Sequence, residues 1–270
     1  MRRTKLTLIV LLALSLATTS CSTEHAHSRL FANKRSSRAR RARQTLTHRP
    51  TSKKVWSRLP PTVPAVITNG PRDKHRVALT FDACQDNKPA GYDKGIVETL
   101  VREHAAATLF LGGRWMESHP DETRYLGSKS QFELANHSYL HPDFTKLPSE
   151  SVTEEVLRPQ RIMFDLTGKQ GKLLRFPYGK YNQPLAEKAA SLGLKVVQWE
   201  VVTGDPDPNI SAADILRAVK QNTKNGSIII MHMNGRGWHT AAALPNVISY
   251  LRGQGYELVT VSELLGEPTP

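Results

Sequence analysis

An α/β domain built on a parallel sheet is the fold class this sequence predicts, and three observations carry the expectation. Short runs rich in β-branched, aliphatic and aromatic residues alternate with longer stretches of helical character. Glycines at 168, 193, 226 and 253 stand where helical stretches should stop. The chain has 270 residues, enough for one large α/β domain with extensions. Seven strands with intervening helices imply a parallel sheet, either open or closed as a barrel.

Regular structure is expected only after Pro60-Pro61 and Pro64. The first strand is read at Arg76–Asp82, where Val77-Ala78-Leu79-Thr80-Phe81 is almost continuously apolar, followed by a helix over Tyr92–His104. Strands at Ala106–Gly112 and Phe132–His137 come next, then a helix over Ser151–Leu166 that ends at Gly168. A strand at Leu173–Pro177 and a helix over Pro184–Leu192, stopped by Gly193, lead into a long strand at Leu194–Val202. The last third reads as helix Ala212–Thr223, strand Ser227–His232, helix Ala241–Arg252 and strand Tyr256–Val261. No internal repeat is visible.

Charge is distributed unevenly. The net charge is +13. Residues 1–20 hold three basic side chains and no acidic one; residues 21–60 hold eleven basic and one acidic. Residues 61–270 hold 23 of each sign and sum to zero. The folded part therefore lacks the overall basic character of a nucleic-acid-binding domain, and no nucleic-acid partner is expected.

Residues 1–20 have the build of a secretory signal peptide. Arg2, Arg3 and Lys5 precede an apolar run from Leu6 to Leu16, too short to span a bilayer, which needs about 20 residues. Ala17-Thr18-Thr19-Ser20-Cys21 follows, and small residues before a cysteine resemble a lipoprotein processing box, with Thr18 where an aliphatic residue is usual. Export to the cell envelope is expected, with Cys21 the candidate lipid anchor and cleavage with release the alternative. Residues 21–60, densest in charge from Lys34 to Arg43, cannot bury enough apolar surface to offset ordering entropy, so a disordered tether is expected. Its cations suit an anionic membrane or wall polymer. Residues 61–270 remain as the folded domain.

Polar residues gather at the C-terminal ends of the predicted strands: Asp82, His137, Arg175 and His232, with Asp205 in a short loop after the fifth. In a parallel barrel this rim collects catalytic side chains. Each alone has a plainer explanation, such as a helix-capping aspartate or a surface histidine. Five at equivalent ends form a pattern.

Those residues sit in five ordered segments: Thr80-Phe81-Asp82, His137-Ser138-Tyr139-Leu140-His141-Pro142, Arg175-Phe176-Pro177-Tyr178-Gly179, Asp205-Pro206 and Ile230-Met231-His232. Together they resemble the motifs of polysaccharide deacetylases, the NodB-like carbohydrate esterases, over residues 76–265. The resemblance implies a distorted (β/α) barrel with fewer than eight strands, about seven by the count above. It also implies hydrolysis of N-acetyl groups on amino sugars of a cell-wall or extracellular glycan. By it, His137 and His141 hold a divalent ion, with zinc the expected metal. Asp82 is the general base, Arg175 holds that carboxylate, the Tyr178 N–H is an oxyanion donor, and His232, oriented by Asp205, is the acid.

The first motif departs from the family. A second aspartate normally follows the first and ligates the metal; here Ala83 stands in its place. Cys84 and Asp86 are the nearby candidates for the third ligand. Strand alternation points Cys84 away from the direction of residue 83, so as a substitute it would need a bulge or turn. In the loop after His232, Trp238 either stacks on a sugar or plugs the barrel mouth, whereas Trp199, inside an apolar strand, is read as core. A glycan-binding pseudoenzyme and a hydrolase of another non-peptide amide are the competing readings.

Overall fold

The structure is a computed structural model that describes residues 65–85 and 88–270. The leader, Cys21, the basic segment and Asp86 lie outside the described residues. Among the described residues no helix is long and apolar enough to cross a membrane.

The sheet grows outward from β1, Arg76–Ala83, which is buried along nearly its whole length. Burial on both faces is why its sequence is apolar almost without interruption. Alternate residues face two different cores. Val77, Leu79, Phe81 and Ala83 pack with side chains of helices α1 (Lys94–Arg102) and α7 (Thr240–Gly253), including Leu100 and Leu244. Ala78 joins Phe110, Ala135, Leu173 and Val197 in a second cluster that fills the barrel interior.

Two strands flank β1 in parallel: β2 (Ala107–Leu111) and β7 (Ile228–His232). Beyond β2 come β3 (Phe132–Asn136), β4 (Leu173–Leu174) and β5 (Lys195–Val196); beyond β7 comes β6 (Val201–Val202). The short β8 (Glu257–Leu258) pairs with the start of β1. Every pairing between these strands is parallel. The sheet's two edges, β5 and β6, are separated only by residues 197–200. The five Cα–Cα steps from Val196 to Val201 reach about 18 Å at most, so the sheet curls until its edges face one another as a distorted barrel.

The single strand expected over Leu194–Val202 is thus two. The reason lies in its carbonyls: those of Val197 and Gln198 accept from the Arg175 guanidinium at 3.4 and 3.1 Å. The Gln198 N–H is turned to Ile67 at 2.7 Å. The strand expected at Tyr256–Val261 is cut short because Thr260 caps helix α8 (Val261–Leu264) in a capping box with Glu263. Two further helices, α2 (Gly113–Ser118) and α3 (Pro120–Gly127), fill the interval between β2 and β3 that the periodicity left unassigned.

The remaining helices start and stop by local signals. Helix α4, Ser149–Thr167, ends on Gly168 at φ 72°, a left-handed cap that glycine adopts without cost. Helix α5 (Gln183–Ser191) is capped by Asn182, and α6 (Ala212–Asn222) by a Ser211–Asp214 capping box.

Candidate active site

All five rim residues converge on one mouth of the barrel. Asp82 lies one residue from the end of β1, and its backbone partners in register are Phe110 on β2 and His232, the last residue of β7. His137 follows β3 directly, Arg175 follows β4, and Asp205 comes three residues after β6. The parallel arrangement brings residues more than a hundred positions apart in the chain to the same face.

Asp82 and Arg175 form a buried ion pair, Nη1 donating to Oδ1 at 2.6 Å, with the guanidinium wholly buried. The guanidinium lies 3.9 Å over the Phe110 ring and donates to two main-chain carbonyls as above. Burial opposes the charge on Asp82, but Arg175, with His137 and His232, holds its carboxyl below the usual range. Its other oxygen lies 3.5 Å from His137 Nε2.

The two histidines meet through a strained turn and not along a helix. Ser138 and His141 hold φ of 65° and 58°, left-handed values uncommon for residues with a side chain. Glu155, from α4, accepts the N–H groups of Tyr139 and Leu140, each at 2.9 Å, and clamps the turn. Asn136 Oδ1 accepts from the Ser138 N–H, and Ser138 Oγ from the His141 N–H. The imidazole centroids end 4.9 Å apart. His137 Nδ1 lies 2.9 Å from the Arg175 carbonyl, which sets Nδ1 as donor and leaves the Nε2 lone pair towards the cavity. Burial and then the neighbouring His137 push His141 down to about 3. Burial likewise lowers His137 despite Asp82. Both are neutral at ordinary pH, the form that donates a lone pair.

Opposite them, Asp205 is saturated with donors. Its Oδ2 accepts the His232 N–H and Thr240 Oγ1, each at 2.7 Å; Oδ1 accepts Thr203 Oγ1 at 3.1 Å and faces His232 Nδ1 at 3.0 Å. Burial works against a charged His232, yet the hydrogen bond and charge of Asp205, aided by Asp82, raise its pKa above the ordinary value. With Nδ1 facing Asp205, Nε2 is the ring nitrogen that remains for proton exchange.

These groups line a cavity of about 350 Å³, the size of a small-ligand site. Tyr178, at φ 59°, stands at its edge with its ring 4.5 Å from that of His141. Gly179 follows, also left-handed, and a Cβ there would meet the Trp199 ring at 2.9 Å. Trp199 has two faces to its role: it packs against the barrel-interior cluster and lines the cavity. Trp238 is 60% exposed, so it does not plug the mouth.

The altered first motif has a simple geometry. Ala83 faces the core between sheet and helices, while Cys84, by alternation, shares the cavity face with Asp82. Cys84 reaches that face without a bulge. Its sulfur and one nitrogen each of His137 and His141 lie within 4.8 Å of one another. One sulfur and two imidazole nitrogens, all buried or half-buried, are a donor set that fits a divalent transition ion. Asn234, buried, donates to the Cys84 carbonyl at 2.7 Å and to Sγ at 3.5 Å. Glu155, Thr203, Thr240 and Asn234 were not singled out in the sequence. A glutamate within a helix or a threonine after a strand carries no signal of such a role.

Fold and site together define a parallel (β/α) barrel with a polar, acid–base-equipped mouth at the strand C-termini. The sequence profile described as polysaccharide deacetylase matches residues 69–197. This chain belongs to the polysaccharide deacetylase family. It is 34% identical over 207 residues to the peptidoglycan-N-acetylglucosamine deacetylase PgdA of Listeria monocytogenes, covering 77% of this chain and 41% of that protein. The chain thus spans well under half the length of that relative. In structure it is similar to the Bc1960 peptidoglycan N-acetylglucosamine deacetylase, with a TM-score of 0.70 at 27% identity over 76% of this chain and 94% of that one. It is also similar to BA3943, a carbohydrate esterase family 4 pseudoenzyme from Bacillus anthracis. There the TM-score is 0.68 at 27% identity over 75% and 69% of the two chains.

Proposed function

We propose that this domain hydrolyses N-acetyl groups on amino sugars of a bacterial cell-wall glycan, peptidoglycan being the substrate that the relatives' names favour. The carrying observation is the facing pair at the barrel mouth: Asp82 held by the Arg175 guanidinium, and His232 faced at Nδ1 by the Asp205 carboxylate, which raises its pKa. Amide hydrolysis needs a base for the attacking water, a stabilised oxyanion and an acid for the departing amine.

Asp82 is the base. Its depressed pKa keeps it ionised, and Arg175 fixes the carboxylate so that one oxygen is left to accept a proton from water. His232 gives its Nε2 proton to the amine nitrogen as the C–N bond breaks, and Asp205 stabilises the imidazolium until that transfer. The Tyr178 N–H donates to the carbonyl oxygen as charge develops there. His137 and His141, with Cys84 or Asp86, hold a divalent ion, zinc being the expected one. When bound, such an ion supplies Lewis-acid polarisation and lowers the pKa of water. Trp238, exposed beside the cavity loop, offers a ring face to a sugar.

Ala83 and the likeness to a pseudoenzyme favour a second reading, glycan binding without turnover. Acetate release from N-acetylglucosamine oligomers and from peptidoglycan decides between them. Release that disappears in Asp82→Asn supports the hydrolase; glycan capture with no acetate from any substrate supports the binder.

For location, the reading is export to the cell envelope with a lipid on Cys21. The basic segment then supplies cations to an anionic membrane or wall surface.

A further inference from the structure

We propose that the thiolate of Cys84 is the third protein ligand of the site, replacing the carboxylate that Ala83 removes and giving a sulfur–imidazole–imidazole centre. The proposal rests on the metal-assisted hydrolase reading but narrows it to one donor and to a class of ion.

Three observations carry it. The cysteine sulfur and the two histidine nitrogens share one face of the cavity within 4.8 Å of one another. In a tetrahedral zinc site, bonds of about 2.3 Å to sulfur and 2.0 Å to nitrogen place donors roughly 3.3–3.6 Å apart. Small side-chain rotations close that difference. Second, an aspartate at position 83 would point into the helix-facing core, so the strand as folded offers the cavity residue 84 and not residue 83. Third, Asn234, 2% exposed, brings its amide to both the carbonyl and the sulfur of Cys84. An N–H aimed at a ligand sulfur holds its rotamer and offsets its negative charge, as outer partners of metal ligands do.

The chemical consequence is selectivity. A thiolate beside two imidazoles favours zinc and similar borderline or soft ions over magnesium or calcium, which take oxygen. Asn234 is then a positioning residue acting through Cys84.

The test uses the full-length protein carrying Cys21→Ser, so that Cys84 is the one remaining cysteine, loaded with cobalt(II). A sulfur-to-cobalt charge-transfer band in the near ultraviolet is expected, and magnesium at about hundredfold excess should not displace the cobalt. Cys84→Ser should abolish the band and weaken cobalt binding at least roughly tenfold. Cys84→Asp, the check against a serine variant that misfolds, should recover affinity without the band. Asn234→Ala should shift the band's energy while cobalt stays bound.

A cobalt-loaded protein with no such band overturns the proposal, as does a band that survives Cys84→Ser. So does loss of cobalt on Asp86→Asn alone with Cys84→Ser still binding normally. Acetate release from the same zinc-loaded protein is scored separately. A thiolate band without acetate keeps the ligand and rejects the hydrolase, whereas acetate release without the band does the reverse.

Discussion

Arg175→Met isolates the interaction on which the proposed base depends. Methionine keeps an unbranched apolar stem but removes the guanidinium, its 2.6 Å bond to Asp82 and its bonds to the carbonyls of Val197 and Gln198. Asp82 is 3% exposed, so its charge would stay buried with only the histidines nearby. Breaking a buried ion pair from one side costs about 3–5 kcal/mol. For a domain of this size each kcal/mol moves Tm by about 2–4 °C, so a fall of roughly 6–20 °C is expected.

The sign of the pH dependence follows from Asp82. In the native protein its folded pKa lies below the unfolded value, so it adds stability above the unfolded pKa that is lost as pH falls through the folded one. Without Arg175 burial dominates, the folded pKa rises, and the order reverses. The variant should then be nearest to native at acid pH and fall further behind as pH rises through that carboxyl. Urea and thermal melts of chelator-treated protein at several pH values measure this. The double variant Asp82→Asn/Arg175→Met should regain part of the loss. A single-variant cost under about 1 kcal/mol, or strict additivity in the cycle, would show that the pair does not carry this energy.

Four further outcomes are expected. Asp82→Asn and His232→Ala should each keep the fold and lower kcat by about 10²–10⁴, with KM changing less; turnover near native in both would remove the acid–base assignment. Asp205→Asn should shift the alkaline limb of kcat/KM to lower pH, because His232 owes its raised pKa to that carboxylate, and an unmoved limb would contradict it. Ala83→Asp places a carboxyl in a fully buried apolar cluster and should cost at least about 2 kcal/mol in denaturant unfolding without strengthening metal binding. Cys21→Ser should move the protein into the soluble fraction with unchanged activity on a soluble oligomer; unchanged fractionation and no lipid mass at the N-terminus would rule out the anchor.

Sequence alone determined the parallel α/β class, because strands buried on both faces must be written as continuous apolar runs such as Val77–Phe81. It also determined which residues reach the mouth, since a parallel barrel collects the C-terminal ends of its strands. Asp82, Arg175, Asp205 and His232 were legible for that reason, whereas the break in the first motif was legible only through the resemblance to the family. Tertiary structure decided the rest. The segment 194–202 splits only because the Arg175 guanidinium, nineteen residues before Leu194, claims its carbonyls. His137 and His141 converge only because a carboxylate on α4 and two left-handed residues hold their turn. Cys84 enters the site because the strand keeps its pleat through residue 84, which sends Ala83 into the core. Local pattern records which side of a strand a residue occupies; what stands on that side is supplied by chain far away in sequence.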